Sequence, residues 1–345
     1  SYNEMAAYLR LHTYLLAQND KPSLKNSNTQ GVDEPVIAPI DAELLAAEIR
    51  MLPEQQLLLD AGVMRVYHAE AKQIPWLMQE IGRLREVSFR AVGEGTGREV
   101  DIDLYDSFYQ HLFVWDAEAQ KVIGGYRLGL VDKIIEKYGL TGLYSYSLFK
   151  YKKTLFNQLN SALELGRSFV RPEYQKNFTP LMLLWKGISI FVSRNPRYAK
   201  LFGPVSISNE YSSVSQQMLV KFLKTNLFDS RLGRYVKPRN PYRNNRVSKL
   251  NNRSLDNPLS LEELSTMIAE IEPDAKGVPV LIRQYLKMGG KMLGFNIDAD
   301  FGHCVDGLIL VDLRNTDERL LAKYMGREGA EVFLHYHALT GVQAS

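Results

Sequence analysis

The strongest constraint on the fold is the segment ALELGRSFVRPEYQKNFTPLML at residues 162–183. Its first nine residues predict a strand that runs into a short polar turn. Thr179 is a good N-cap and Pro180 a good first helical residue, so they predict a helix that continues to about Arg194. A helix N-terminus that follows a strand presents free N–H groups and a positive dipole end, which together bind phosphate.

The rest of the chain alternates between helical and strand-like patterns. Helices are predicted at residues 1–17, 41–60 with a break at Pro53, 75–92, 213–225, 260–271 and 278–288. Strands are predicted at residues 63–68, 111–115, 122–130, 201–208, 291–297 and 307–312, and the second and third of these form a hairpin. This order predicts an α/β (α+β) fold, with a mixed central sheet and helices on both of its faces.

The composition excludes several other classes of protein. Hydrophobic residues make up 45% of the 345 residues and charged residues 23%, which is ordinary for a globular protein. The 42 Lys+Arg against 39 Asp+Glu leave a net charge of +3, which does not support nucleic-acid binding by the whole chain. The single cysteine, Cys304, excludes an intrachain disulfide and fits a reducing compartment. We expect a cytoplasmic protein, with peripheral contact at the inner face of the cytoplasmic membrane left open, because no apolar stretch is long enough to span a bilayer.

The segment at residues 162–183 resembles the phosphate-binding turn of the GNAT superfamily of N-acyltransferases. In that superfamily, a Val-x-Pro strand end leads to a Gln/Arg-x-x-Gly-x-Gly/Ala loop that holds the pyrophosphate of a CoA thioester. Gln175 matches this loop, but Phe178 and Pro180 replace the two glycines that allow close approach of the backbone. The departure favours a donor with one phosphate, acyl-phosphopantetheine on acyl carrier protein, with acyl-CoA as the second choice. The resemblance implies the following donor-binding residues: Phe169, Val170, Gln175, Lys176, Asn177, Phe178 and Thr179. The alternative is an ordinary strand-to-helix turn without a ligand.

Other segments resemble more specific families. Residues 164–170, ELGRSFV, resemble the Glu-x-Ser-Arg-Phe strand of acyl-homoserine-lactone autoinducer synthases. Residues 97–116 and 279–312 resemble ornithine-lipid N-acyltransferases, with the second match carried by Pro279, Leu281, Tyr285, Gly289, Gly290, Asp300, Phe301 and Asp306. Residues 83–97 and 239–243 resemble the second half of two-domain bacterial acyltransferases labelled hemolysins.

These resemblances imply a domain organisation and a sheet type. Residues 1–40 are expected to be the tail of an upstream acyltransferase-like domain plus a linker. Residues 41–345 are expected to form a GNAT-like N-acyltransferase domain with a C-terminal extension. Its central sheet is then expected to be mixed and mostly antiparallel.

Three charged residues are the candidates for catalysis, because acylation of an amine requires a group that takes its proton. Glu164 is the first, since a central strand would otherwise prefer an apolar residue, and the alternative is a structural ion pair. Arg167 would bind the carboxylate of the acceptor or pair with Glu164, and direct pairing requires a bulge for which Gly166 is suited. Glu94 lies in a glycine-rich turn and is the second acid candidate, the alternative being a solvated loop residue.

Further polar residues are assigned to the acceptor site or left without a role. Those assigned to acceptor binding are Arg90, Asp101, Asp103 and His111, each of which is otherwise a surface charge. Cys304 is interpreted as a bystander, because the neighbouring His303 would point away from it on a strand. His335 and His337 do not form a convincing metal set with His111, so no metal is predicted.

A basic run extends from Arg231 to Arg253 without any acidic residue. Such a run docks an acidic carrier protein or anionic lipid headgroups, and single-stranded nucleic acid also fits its composition. The alternative is a solvated connecting loop. We expect a carrier protein, an amino-acid acceptor and an anionic membrane surface as partners, and no nucleic acid.

Three functions are compatible with these features. The first is an N-acyltransferase that moves a 3-hydroxy fatty acyl group from acyl carrier protein to the α-amine of an amino acid, such as ornithine or glycine. Its product would be a lyso-aminolipid. The second is an autoinducer synthase that acylates S-adenosylmethionine. The third is a non-catalytic module that binds membranes or carrier proteins, as the hemolysin label suggests.

Overall fold

Eight strands form the main sheet in the computed structural model, which describes residues 33–159, 161–243 and 260–342. The helix predicted at residues 1–17 and the basic run after Arg243 lie outside the described residues. The strands are β1 (Leu57–Ala61), β2 (Met64–Glu70), β3 (Gln110–Asp116), β4 (Lys121–Leu130), β5 (Phe149–Tyr151), β6 (Ala162–Val170), β7 (Lys200–Ile207), β8 (Val236–Pro238), β9 (Lys291–Asp298) and β10 (Cys304–Asp312). The order in the main sheet is β1-β2-β3-β4-β6-β7-β10-β9, and β5 pairs with β8 separately.

Helices cover both faces of the main sheet. They are α1 (Ala42–Met51), α2 (Pro75–Arg90), α3 (Val131–Tyr138), α4 (Lys153–Leu159), α5 (Thr179–Arg194), α6 (Ser213–Asn226), α7 (Ser230–Gly233), α8 (Leu261–Ile271), α9 (Val280–Lys287), α10 (Glu318–Met325) and α11 (Arg327–Val342). One face packs against α5, α6 and α8 to α11, and the other packs against α1 to α4. The predicted architecture is therefore confirmed.

The sheet is antiparallel except for one pair of strands, β6 and β7. These two strands pair only from Ala162–Lys200 to Glu164–Phe202, although β6 continues for six more residues. A Cβ atom at Gly203 would lie 2.0 Å from the carbonyl oxygen of Leu165, so only glycine permits this close approach. Beyond this contact the strands separate and the sheet opens.

One local prediction was wrong, and several elements were not predicted. Residues 57–60 belong to β1 rather than to a helix, because the chain reverses at Gly62, whose φ is +79° and whose N–H bonds to the Asp60 carboxylate. Helices α3, α4, α7, α10 and α11 and the small β5–β8 sheet were not predicted. Within the described chain, no helix is long and apolar enough to cross a bilayer.

Candidate functional site

A largely apolar cavity of about 560 Å³ opens where β6 and β7 separate. The end of β6, the C-terminal end of α2, the turn before α5 and the start of α9 form its walls. The predicted donor-binding residues that line it are Phe169, Val170, Gln175, Lys176, Asn177 and Phe178. We call this space the apolar cavity.

The turn before α5 is held by its own side chains. The Gln175 amide donates to the carbonyl oxygen of Val170 at 2.9 Å. The helix begins at Thr179, with Phe178 and not Thr179 at the N-cap position, and it has no side-chain N-cap. The Asn177 Oδ1 atom accepts the N–H of Thr179 at 2.9 Å in a turn just before the helix. One of the N–H groups at this helix start is therefore already occupied.

Glu94 lines the apolar cavity with a carboxyl group that is almost completely buried. The Ser206 hydroxyl donates to its Oε2 atom at 2.9 Å. Burial raises the pKa of Glu94 to about 7; the bond from Ser206 opposes this shift, and the charges of Glu210 and Asp298 add to it. A carboxyl group with this pKa accepts and releases protons near neutral pH.

A second, polar cavity of about 480 Å³ adjoins the first. Its walls include Tyr144, Arg167 and Asp298 together with Phe301. The Phe301 ring contacts the Phe89 ring edge to face at a centroid distance of 5.0 Å, and Phe89 lines the apolar cavity. The two cavities are therefore neighbours, separated by this aromatic pair.

Arg167 reaches the polar cavity from a bulge in β6. The register of β6 against β4 shifts by one residue beside Gly166, and Arg167 has a φ of +50°. The predicted bulge is thus present, but the partner of the guanidinium is Asp101 at 2.9 Å, with Tyr144 Oη at 2.8 Å. Asp103 lies 3.6 Å from the same guanidinium and 2.6 Å from Arg127. The two aspartates therefore anchor arginines and do not line either cavity.

Two further carboxyl groups are coupled to Glu94: the charge of Asp298 raises the pKa of Glu94, and the charge of Glu94 raises the pKa of Asp306. Burial raises the pKa of Asp298, which lines the polar cavity. Burial also raises the pKa of Asp306, and the charges of Asp298 and Glu94 raise it further. The Oδ2 atom of Asp306 has no hydrogen-bond partner in the described chain. Burial raises the pKa of the nearby Cys304 thiol as well, so this thiol stays protonated.

Glu164 lies away from both cavities, on the sheet face covered by α3 and α4. Its carboxylate accepts the N–H of Ser145 at 2.7 Å, the N–H of Tyr144 at 3.1 Å and the Tyr109 hydroxyl. Its side chain is fully enclosed, and burial raises its pKa. Glu164 is therefore occupied by hydrogen bonds from the protein and lines neither cavity.

We therefore expect Glu164→Gln to change stability more than catalysis. The Glu164 carboxylate accepts three donors, the N–H groups of Tyr144 and Ser145 and the Tyr109 hydroxyl, and glutamine offers them one oxygen. At least one of these buried hydrogen bonds is lost, at a cost of about 1–3 kcal/mol. Urea unfolding measures this loss of stability. We expect kcat to stay within about threefold of the wild-type value, because a residue that takes no part in the chemical step changes kcat little. Unchanged stability with lost activity would return Glu164 to the mechanism.

The other predicted acceptor residues are also structural in their contacts. His111 is buried against Asp106, whose carbonyl oxygen lies 2.9 Å from Nε2; burial and the charge of Arg85 lower its pKa to about 4. Arg90 pairs with Glu86 at 2.7 Å and donates to two loop carbonyls. Neither His111 nor Arg90 is among the residues that line the two cavities.

Sequence reasoning missed four residues of the site. Ser206, Tyr144, Asp298 and Arg98 were not singled out, because each is a common residue type. The only available signal was the position of Asp298 two residues before Asp300, in the segment that resembles ornithine-lipid enzymes. Among the described residues, no group of His, Cys, Asp or Glu is arranged to hold a metal ion.

The pKa of Glu94 predicts a pH profile. Above a pH of about 7 the carboxylate form dominates, so kcat/KM should rise through that pH and fall about tenfold per unit below it. The bond from Ser206 lowers the pKa of Glu94, so Ser206→Ala should move this acidic limb to higher pH. If the acidic limb of the kcat/KM profile stays at the same pH in Ser206→Ala, a group other than Glu94 is responsible for it.

Comparisons with known proteins agree with a transferase site. A family model described as an acetyltransferase (GNAT) domain matches residues 84–186, from α2 through β6 into α5. The glycine N(alpha)-acyltransferase of Phocaeicola vulgatus is 30% identical over 81% of this chain and 88% of the relative. The L-ornithine N(alpha)-acyltransferase of Brucella abortus is 27% identical over 67% of this chain and 75% of the relative.

A solved structure is also similar to part of the chain. It is a CoA-dependent acyl-homoserine lactone synthase with SAM and isopentyl-CoA, with 13% identity over 79% of this chain and 100% of that one. The TM-score is 0.36, which is too low to support a statement about function.

Proposed function

Because the chain belongs to the GNAT-type Nα-acyltransferases, we propose that it transfers a fatty acyl group from a phosphopantetheine thioester to the α-amine of an amino acid. The observation that carries this proposal is Glu94, a buried carboxyl group with a pKa of about 7. It lies on the wall of an apolar cavity that adjoins a polar one. Such a group is suited to take the proton that an amine loses on acylation.

The apolar cavity is the proposed site of the acyl thioester. Phe89, Val92, Leu181 and Leu281 provide an apolar lining for a hydrocarbon chain. Acyl carrier protein, carrying a 3-hydroxy fatty acyl group, is the proposed donor. The bulky Phe178 at the rim and the N–H group already taken by Asn177 support one phosphate over the diphosphate of CoA.

The polar cavity is the proposed site of the acceptor. It presents the Asp298 carboxyl group on one strand and the guanidinium groups of Arg98 and Arg239 on loops. Charges of both signs match a zwitterion, with its ammonium near Asp298 and its carboxylate near an arginine. Glycine and ornithine, which appear in the names of the relatives, are the first acceptors to test.

The proposed reaction is a single acyl transfer. The amine nitrogen attacks the thioester carbonyl, a C–N bond forms and the C–S bond breaks. Before the attack, the bound ammonium releases one proton to solvent. Glu94 then takes a second proton from the attacking nitrogen and returns it to the departing sulfur, so the products are an N-acyl amino acid, a free thiol and one proton. Backbone N–H groups of β6 beyond Glu164 have no strand partner on the β7 side and would stabilise the oxyanion.

The product would be a lyso-aminolipid. An upstream acyltransferase-like domain would acylate its 3-hydroxyl group, and residues 1–40 would be the connection to that domain. The described part of the basic run, which includes Arg234 and Arg239, would place the enzyme at an anionic membrane surface or against the carrier protein.

Product analysis tests the proposal. The purified chain is incubated with 3-hydroxyacyl carrier protein, or separately with acyl-CoA, against glycine, ornithine and S-adenosylmethionine. We expect mass spectrometry to detect N-acyl glycine or N-acyl ornithine, formed fastest from the carrier protein. Formation of an acyl lactone from S-adenosylmethionine instead would identify an autoinducer synthase. Faster reaction with acyl-CoA would overturn the proposed donor.

A further inference from the structure

A third cavity, of about 620 Å³, lies at the opposite end of the sheet from the proposed active site. Lys200 at the start of β7 and Lys291 at the start of β9 contribute to its walls, with Arg231 from α7 and Arg314 after β10. A strand rises about 3.3 Å per residue, so Lys200 is roughly 20 Å from Ser206 at the apolar cavity. We call this space the basic cavity; the reaction proposed above makes no use of it.

Positive charge exceeds negative charge in the basic cavity. Two carboxylates face it, Asp229 and Asp312. Asp312 pairs with Arg314, with 2.8 Å between Oδ1 and Nε. Asp229 accepts the N–H of Leu232 at 2.9 Å as the cap of α7. The four cations and two carboxylates leave a net charge of +2, and three of the cations have no carboxylate within ion-pair distance in the described chain.

Those three cations have no ion-pair partner in the described chain. The Lys200 ammonium donates to the carbonyl oxygen of Gln158 at 2.5 Å, a neutral acceptor. Arg231 and Lys291 are exposed at the rim and form no ion pair within the described residues. Burial lowers the pKa of Lys200; the charges of Arg314 and Arg231 lower it further, and the charge of Asp312 opposes this shift. Like charges gathered in a concave site raise the local concentration of anions.

We infer that the basic cavity binds a phosphate group, carried either by a soluble phosphorylated compound or by a lipid headgroup. Guanidinium and ammonium groups that converge from three elements suit the several oxygens of a phosphate. The cavity volume lies within the range of small-molecule sites, about 300–1,000 Å³. The bound anion would relieve the mutual repulsion of Lys200, Arg231 and Arg314.

Titration calorimetry with inorganic pyrophosphate, and flotation with vesicles of phosphatidylglycerol and phosphatidylcholine, test the inference on the whole chain. The double variant Arg231→Ala/Lys291→Ala removes two exposed cations that pair with nothing in the described chain, so we expect it to fold. Its affinity should fall about tenfold or more, as for the loss of charge-assisted bonds. The control Lys121→Ala removes an exposed cation at the start of β4 that belongs neither to the cavity nor to the basic run.

Each outcome bears on the inference. Pyrophosphate binding that is lost in the double variant and kept in Lys121→Ala supports a soluble phosphorylated ligand. Vesicle binding with the same dependence, in the absence of pyrophosphate binding, supports a lipid headgroup. Three results would overturn the inference. They are an equal loss of binding in the double variant and the control, equal binding by the wild type and both variants, and no binding of the wild type to either probe.

Discussion

Replacement of Glu94 by glutamine is expected to lower kcat by about 10²–10⁴-fold, the usual contribution of a general base. Glutamine has the same shape and accepts the bond from Ser206, but it cannot take a proton from the amine. The fold should be preserved, because burial already disfavours the charged form of Glu94. Steady-state kinetics with the preferred donor and acceptor, together with thermal unfolding, measure both effects.

Glu210→Gln is the matched control for this prediction. Glu210 is exposed, and its charge contributes to the raised pKa of Glu94, but it does not line the apolar cavity. Its removal should leave kcat near the wild-type value, because an exposed charge is screened by solvent and salt. A Glu94→Gln variant that turns over as fast as Glu210→Gln would exclude Glu94 as the base.

Arg127→Met is expected to destabilise the fold by about 3–5 kcal/mol, the usual cost of breaking a buried ion pair. The Arg127 side chain is fully buried and pairs with Asp103 at 2.6 Å and Asp106 at 3.2 Å. Burial opposes ionisation of Asp106, yet the charges of Arg85 and Arg127 hold its pKa well below the ordinary value. Methionine would leave both carboxylates with one cation fewer in a site that excludes water.

Urea unfolding measures the effect of Arg127→Met. The control is Lys121→Met on the same strand, where the side chain is exposed and the expected change is within about 0.5 kcal/mol. Asp103 also lies beside Arg167, so the polar cavity should lose acceptor affinity in Arg127→Met. Equal stability of the two variants would show that the buried charges do not hold this part of the fold together.

Local patterns predicted most of the sheet, because its strands and helices each carry their own periodicity. The hairpin of β3 and β4, the strand β6 and the helix α5 were predicted close to their observed bounds. Strand order was not predictable from such patterns, because it is fixed by contacts between distant segments. The close approach of Gly203 to Leu165, beyond which β6 and β7 no longer pair, is one such contact.

The surroundings of the two candidate acids, Glu164 and Glu94, also depend on contacts that local sequence patterns do not show. Glu164 is in a buried strand, as its neighbours suggest, but the amides that occupy its oxygens come from a turn about 20 residues away. Glu94 lies in a glycine-rich turn that suggests exposure. The turn is covered because Gly302 packs directly on Gly93, and a Cβ atom there would lie 1.9 Å from the Gly93 carbonyl oxygen. That contact spans more than 200 positions, which no local pattern encodes.

A crystal structure with an S-alkyl phosphopantetheine thioether and glycine tests the central claim most directly. The thioether has the chain and the arm of the proposed donor but cannot react. We expect the alkyl chain in the apolar cavity and glycine in the polar cavity, with its nitrogen about 3–3.5 Å from the position of the thioester carbon. The Glu94 carboxylate should lie within hydrogen-bonding distance of that nitrogen. Glycine bound away from Glu94, or a chain bound outside the opening between β6 and β7, would contradict the account.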